Sequence, residues 1–226
     1  MMLAVVPPGP ATFNGTAEAI TILVLLSEFA MLRAPLLRSQ VRLYAFQSLA
    51  VAALAVDVAA THHLPELYAL AAISFILKVI LVPGTVLRLL GNSDLDLAGS
   101  HRLGVATMVL LSIGVSIFGF FVVGSLNISS GSLPTPALGV AAAVVLVAFL
   151  LVILRTDVVS QAVGFFSLEN GVSVATLVVA AGLPLIVEVA ILFDLLVAVV
   201  VFGVLMRVHH RRTSTLSTTV LDRLRG

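Results

Sequence analysis

The chain has 226 residues and a mass of 23.6 kDa; 60% of the residues are hydrophobic, only 10% are charged, and the mean hydropathy is +1.21. A soluble domain carries about 25% charged residues and could not cover its surface with so few polar groups. Lipid is therefore the solvent for most of this chain, which excludes a soluble enzyme, a nucleic-acid binder and a disordered regulator. The net charge of +1 gives no field that would gather polyanions.

Residues 1–10 hold no Lys or Arg and are broken at Pro7, Pro8 and Pro10. A cleavable signal peptide, which needs a basic start and an apolar run, is not expected there. A helix crosses a bilayer with about 20 mostly apolar residues. Seven such runs follow in order: Thr16–Leu32, Val41–Thr61, Leu67–Leu90, Leu103–Leu126, Ala137–Leu154, Val158–Ala181 and Leu183–Val208. The segments between them, RAPLLRSQ, THHLPE, GNSDLDLAGSH, NISSGSLPTP, RTD and AGLP, are Gly, Pro, Ser and charge clusters of the kind that form loops. The pattern predicts an all-α integral membrane protein in one polytopic domain, 1–226. Its first four helices lie in 1–134, a three-helix part in 135–212, and a tail in 213–226.

Eleven arginines decide the orientation. Arg33, Arg38 and Arg42 follow the first span, Arg88 and Arg102 flank the loop after the third, and Arg155 marks the turn after the fifth. Arg207, Arg211, Arg212, Arg223 and Arg225 follow the seventh. With seven spans all of them fall on one side, which the positive-inside rule makes cytoplasmic. The N-terminus is then expected outside and the C-terminus inside. One span more or fewer would scatter the arginines over both sides. Trp is absent and Tyr occurs twice, so the aromatic belt is thin.

Charges near the span ends have an ordinary explanation as solvated or snorkelling groups. This covers Glu18, Asp57 and Glu66 at the outer boundary, Asp94, Asp96, Asp157 and Asp222 in loops and tail, and Glu28 near the inner boundary. Lys78, Glu169 and Asp194 are different, because each falls near the middle of a span. A charge at the bilayer centre costs roughly 2.5–3.5 kcal/mol on insertion scales, so such groups face the protein interior or a water-filled cavity. Glu188 lies six residues before Asp194, about 9 Å along the helix and about 120° around it, and so faces a different neighbour. Two readings stand side by side. In one, Lys78 forms a buried ion pair with Glu169 or Asp194 that only fixes helix packing. In the other, Lys78, Glu169, Glu188 and Asp194 form a proton path.

The remaining features concern packing. Gly164, Gly171 and Ala175 on the sixth span, and Gly114, Gly119 and Gly124 on the fourth, are expected to allow close helix approach. Pro83 is expected to kink the third span just after Lys78 and to free a carbonyl there. His62 and His63 are expected in an outer loop, and His209 and His210 beside headgroups. The chain has no cysteine, which removes disulfides, thiolate catalysis, iron–sulfur ligation and Cys-type zinc sites. No metal-spaced cluster, nucleophile constellation or phosphate-cradling loop appears.

The stretches YAFQSL (Tyr44–Leu49), SFILKVILVP (Ser74–Pro83), VGFFSLENG (Val163–Gly171) and LPLIVEVAILFDLLVAVVV (Leu183–Val201) resemble hydrogenase-4 component E, a membrane subunit of energy-converting hydrogenase and formate hydrogenlyase-type complexes. The resemblance covers most of the chain, and KVILVP and ENG are its more specific pieces. The last three spans are also similar to the small K subunit of respiratory complex I. Arg155 matches its Arg-rich turn, Asp194 its last acid, and Gly164 and Asn170 fit as well. Glu169 departs from that pattern, since the first acid would fall nearer Phe166, one helical turn away. The resemblance implies a subunit that couples redox chemistry in a peripheral arm to proton or cation movement in the membrane of a prokaryotic cell. Its implied partners are antiporter-like membrane subunits, a hydrogenase-type peripheral module and lipids, with no nucleic acid. The chain itself would hold no cofactor and no active site, the nickel–iron and iron–sulfur groups belonging to partners. A component of a multisubunit cation/proton antiporter and a purely structural scaffold subunit are the alternatives.

Overall fold

The computed structural model describes residues 15–90, 103–125, 133, 135–180, 198–200 and 202–203. The described elements are α1 (Thr16–Arg33), α2 (Leu37–His62), α3 (Pro65–Ser74), a π-helical segment (Phe75–Leu81), α4 (Val82–Leu90), α5 (Val105–Ser125), α6 (Thr135–Leu154) and α7 (Val158–Ala180). No strand longer than an isolated bridge occurs among them. The α3, π and α4 segments form one continuous rod, Pro65–Leu90. This rod and α2, α5, α6 and α7 are each long and apolar enough to cross a membrane. The protein is an all-α membrane protein. The first six expected spans fall on these helices and on the 18-residue α1. The seventh lies outside the described residues except for 198–200 and 202–203.

Local chemistry sets the helix ends. Ala34 adopts an extended conformation, as the residue before a proline should, and Pro35 separates α1 from α2. Pro65 opens α3 at a first-turn position, where its missing N–H costs nothing. Asp157 caps α7, its Oδ1 accepting the Ser160 backbone N–H at 2.7 Å. Just before Pro83, where a kink is expected, the helix widens. The seven residues Phe75–Leu81 are π-helical, and the Val82 N–H donates to the Leu77 carbonyl five residues back. This wider winding lies next to a proline that cannot donate to the α ladder. It carries Lys78 in its middle.

Helix α6 packs against α5 and α7, α1 against α2 and α6, and α2 also against α7 and the α3–α4 rod. The α6–α7 approach depends on small residues. A Cβ at Gly171 would lie 2.8 Å from Val145 Cγ2 and 3.1 Å from the Val145 backbone nitrogen, and one at Gly164 would lie 3.1 Å from the Val152 nitrogen. Gly119 makes a similar approach to Leu146 and Ala143 on α6, whereas nothing lies within 4 Å of Gly114, which is not a packing glycine. Gly171→Leu is therefore expected to push α6 and α7 apart and destabilise the fold by about 1–3 kcal/mol. Thermal unfolding in detergent measures this, and an unchanged midpoint would contradict the packing.

Two hydrophobic clusters fill the bundle, one towards each end. One holds Met31, Tyr44, Val82, Leu151 and Phe166. The other holds Val24, Val51, Ala71, Val144 and Val174. In α1, α2, α7 and the α3–α4 rod the buried side chains between these clusters are polar: Ser27, Glu28, Gln47, Ser48, Lys78, Ser167 and Asn170. That layer is where the charges sit.

Candidate functional site

The polar layer is built from four rods. From α1 comes Glu28, from α2 Gln47 and Ser48, from the π-helical segment Lys78, and from α7 Ser167, Glu169, Asn170 and Ser173. Glu28, Gln47 and Ser167 are 0% exposed, and Lys78 is 1% exposed. On α7, Ser167 and Asn170 are three residues apart, and Glu169 and Ser173 four apart, the spacings that share a helix face.

Lys78 and Glu169 form an ion pair, Nζ to Oε2 2.5 Å. The same ammonium donates to Asn170 Oδ1 at 3.3 Å and to Ser173 Oγ at 3.0 Å. Its three donors therefore have three acceptors. The Asn170 amide donates in turn to Gln47 Oε1 at 3.0 Å and to Ser48 Oγ at 2.9 Å. Gln47 Nε2 donates to Glu28 Oε2 at 2.8 Å and to the Val24 carbonyl at 3.2 Å. The Ser167 hydroxyl lies in hydrogen-bond contact with Glu28 Oε2 and at 2.9 Å from Gln47 Oε1. One hydroxyl proton cannot serve both acceptors. A proton on the Glu28 carboxyl, donated to Ser167 Oγ, would satisfy every contact. The result is one connected set of groups from Glu28 to Glu169.

Of the four residues that the sequence singles out, Lys78 and Glu169 are thus brought together. Glu188 and Asp194 lie outside the described residues, as does the alternative pairing of Lys78 with Asp194. Three acids placed at the boundaries need correction. Glu28 is not a snorkelling group but is fully buried in the layer, because α2 and α6 pack against α1 and Gln47 and Ser167 hydrogen-bond its carboxyl. Glu18 is 7% exposed and Asp157 1% exposed; the latter is an N-cap, not a solvated loop acid. Asp57, which accepts from the Thr16 hydroxyl at 3.2 Å, and the exposed Glu66, His62 and His63 stand as expected.

Arg155 occupies a second buried site, in the turn between α6 and α7. Its Nη2 donates to the Leu32 and Ala34 carbonyls at 2.8 and 2.9 Å, at the end of α1. Gln40 Nε2 reaches the Ala34 carbonyl as well, and Ser160 Oγ donates to Gln40 Oε1 at 2.7 Å. A cation on the free carbonyls of a helix C-terminus is the favourable arrangement. Burial lowers the Arg155 pKa from its ordinary value, and the Asp157 carboxylate opposes that shift. The contact also ties the turn after α1 to the turn after α6, so Arg33 and Arg155 share one end of the bundle. Among the described residues no cluster of His, Cys, Asp or Glu is suited to a metal ion.

The layer offers titratable groups held in the interior of the bundle. Comparison with known proteins agrees with a membrane subunit. No protein-family model matches the chain, and no solved structure does. It is 31% identical to an uncharacterised protein of Mycobacterium tuberculosis over 170 residues, 75% of this chain and 77% of that relative. It is 28% identical to hydrogenase-4 component E of Escherichia coli over 183 residues, 81% of this chain and 85% of that relative. The protein of the same name in Shigella flexneri aligns over the same length at the same identity. The chain is thus similar to hydrogenase-4 component E over most of the length of both chains.

Proposed function

We propose that the chain is a membrane-arm subunit of a hydrogenase-type, complex I-related assembly in the prokaryotic cell membrane, and that its polar layer takes part in moving protons across that arm. The observation that carries this reading is the connected layer itself, which holds Glu28, Lys78 and Glu169 between two apolar clusters. Burying three ionisable groups is costly, and intramembrane charges are by default functional. By its name the Escherichia coli relative is a component of a hydrogenase, which supports the assembly. Antiporter-like subunits and a hydrogenase-type peripheral module are its proposed partners.

In this reading a proton taken up by Glu169 neutralises its carboxylate and frees Lys78 from the pair, leaving Asn170 and Ser173 as acceptors. Loss of the proton restores the pair. The amides of Gln47 and Asn170 donate hydrogen bonds but do not relay protons. They hold the two carboxyl sites in register, so that a charge change at one alters the other through a low-dielectric interior. Glu188 and Asp194 continue the path in the seventh span.

A structural role has one observation in its favour: every donor of Lys78 is satisfied, as in a pair that only locks helices. The two roles separate in the double variant considered in the Discussion. Membership is tested by purifying the tagged chain in mild detergent. Hydrogenase-type and antiporter-like subunits are expected to accompany it, and a monodisperse, well-folded monomer would count against the assembly.

In this reading the C-terminus lies in the cytoplasm, which the one-sided arginines support. A reporter active only in the periplasm is expected to be silent when fused after Gly226 and active when inserted in 127–134. The opposite pattern would overturn the seven-span arrangement.

A further inference from the structure

The hydrogen bonds around Glu28 can be counted one hydrogen at a time, because both ends of the polar layer are pinned. The Val24 carbonyl only accepts, and the Lys78 ammonium only donates. Gln47 must therefore turn Nε2 towards Val24 and Glu28, at 3.2 and 2.8 Å. That leaves Gln47 Oε1 facing α7. Asn170 must turn Oδ1 towards Lys78 and Nδ2 towards Gln47 and Ser48. All the amide hydrogens are then used, with Val24, Glu28, Gln47 and Ser48 receiving one each. Two contacts remain, from Ser167 Oγ to Glu28 Oε2 and to Gln47 Oε1, and the serine brings a single hydrogen. An ionised Glu28 would take that hydrogen. Ser167 Oγ and Gln47 Oε1 would then face each other at 2.9 Å with no hydrogen between them. Of the three groups at these two contacts, the Glu28 carboxyl is the one that can carry the missing hydrogen.

Charge points the same way. The other Glu28 oxygen, Oε1, is buried with no hydrogen bond. Helices α5 and α6, which pack on α1, carry no ionisable side chain. On α1 and α2 the other charged groups, Glu18, Arg33, Arg38, Arg42 and Asp57, stand five or more residues from Glu28 or Gln47. Tyr44, on the Gln47 face of α2 and stacked on Phe166, bears no charge at neutral pH. Lys78 is held by Glu169. An ionised Glu28 would thus be a buried anion with one oxygen unbonded and no cation in contact. A neutral carboxyl leaves only a carbonyl oxygen unbonded, which costs far less.

We infer that Glu28 is a loaded proton site. Its carboxyl is neutral, with the proton on Oε2 and donated to Ser167 Oγ, and Ser167 donates its own to Gln47 Oε1. Every contact then holds one hydrogen. Glu169 is the opposite, an ionised site that faces the Lys78 ammonium. The layer holds one cation and one anion and is neutral as a whole. This assignment needs only the hydrogen count, while its use in transport rests on the proton-handling reading above. In that reading the resting layer stores one proton at Glu28 and has room for one at Glu169.

Infrared spectroscopy reads the assignment directly, because the carbonyl stretch of a neutral carboxylic acid is separate from the bands of a carboxylate. The full-length chain is purified with its partners at neutral pH, from cells supplied with glutamate bearing a heavy carbon isotope in its side-chain carboxyl. The difference between the natural protein and Glu28→Gln is expected to hold one neutral-acid band that moves with the label. Ser167→Ala keeps the acid and removes the acceptor of its proton, so the band should persist at a higher frequency. This variant also serves if Glu28→Gln does not assemble. Carboxylate bands alone in the difference, or a spectrum untouched by Ser167→Ala, overturn the loaded site. A count of charges gives a second reading. Lys78→Met strands the Glu169 carboxylate, which Glu169→Gln should relieve. Glu28→Gln removes no charge, so Lys78→Met combined with it should assemble no better than Lys78→Met alone. Rescue of assembly by Glu28→Gln would reveal a second anion in the layer and overturn the inference. Neither readout uses pumping, so normal proton uptake in Glu169→Gln would end the relay and leave the Glu28 band in place.

Discussion

Neither Lys78→Met nor Glu169→Gln alone is expected to give a normally assembled complex, whereas the double variant should assemble and yet take up no protons. The geometry sets these signs. Lys78→Met leaves the Glu169 carboxylate in the interior with only Ser173, at 3.4 Å, beside it. Glu169→Gln leaves the ammonium with Asn170, Ser173 and an uncharged amide. Breaking one side of a buried pair costs about 3–5 kcal/mol, because the remaining charge is stranded. Neutralising both sides removes the stranded charge, and replacing a buried pair by apolar groups of similar volume is often neutral. Stability is thus recovered in the double variant, but no group at the centre of the layer can then bind a proton. Assembly by native electrophoresis and proton uptake in vesicles are the two measurements. A double variant that both assembles and takes up protons at the normal rate would assign Lys78 and Glu169 to helix packing alone.

Much of this centre was legible from the residues. Lys78 and Glu169 stand out because a charge at mid-span has no water to snorkel to, so its position alone demands a partner. The helices were legible for a related reason. Apolar runs bounded by Gly, Pro and charge place α6 and α7 to within two residues, and α2 begins four residues earlier than expected, at Leu37. Glu28 was not legible. Five residues before Arg33, it is near enough to the boundary to snorkel. What buries it is the packing of α1 against α6 and the hydrogen bonds from α2 and α7, contacts 19 and 139 residues away in sequence.

Gln47, Ser48, Ser167 and Asn170 carry no charge and so raised no alarm. The signal that would have found them is weaker: polar pairs at i,i+3 or adjacent positions on otherwise apolar spans, at the depth of Lys78 and Glu169. The π-helical winding at Phe75–Leu81 could not be read at all, since Pro83 is equally compatible with a kink.

The contrast between two substitutions at Glu28 follows from that hidden position. Glu28→Leu removes one of the two acceptors of the Gln47 amide and one of the two partners of the Ser167 hydroxyl, leaving them the Val24 carbonyl and Gln47 Oε1 in a fully buried site. Each buried hydrogen bond lost costs about 0.5–1.5 kcal/mol, and for a chain of this size each kcal/mol lowers the unfolding midpoint by about 2–4 °C. A loss of at least several degrees in detergent is the expected result. Glu28→Gln keeps the shape and an oxygen that can accept from both Gln47 and Ser167, so its midpoint should stay close to that of the natural protein. The Gln variant nevertheless cannot bind or release a proton. If the layer passes its charge state from the Lys78–Glu169 pair towards the arginine end, proton uptake should fall in Glu28→Gln although the complex assembles. A stable Gln variant with normal uptake would confine Glu28 to a structural role and end the path at Glu169. A Leu variant as stable as the natural chain would show that the Glu28–Gln47–Ser167 contacts do not hold the bundle together.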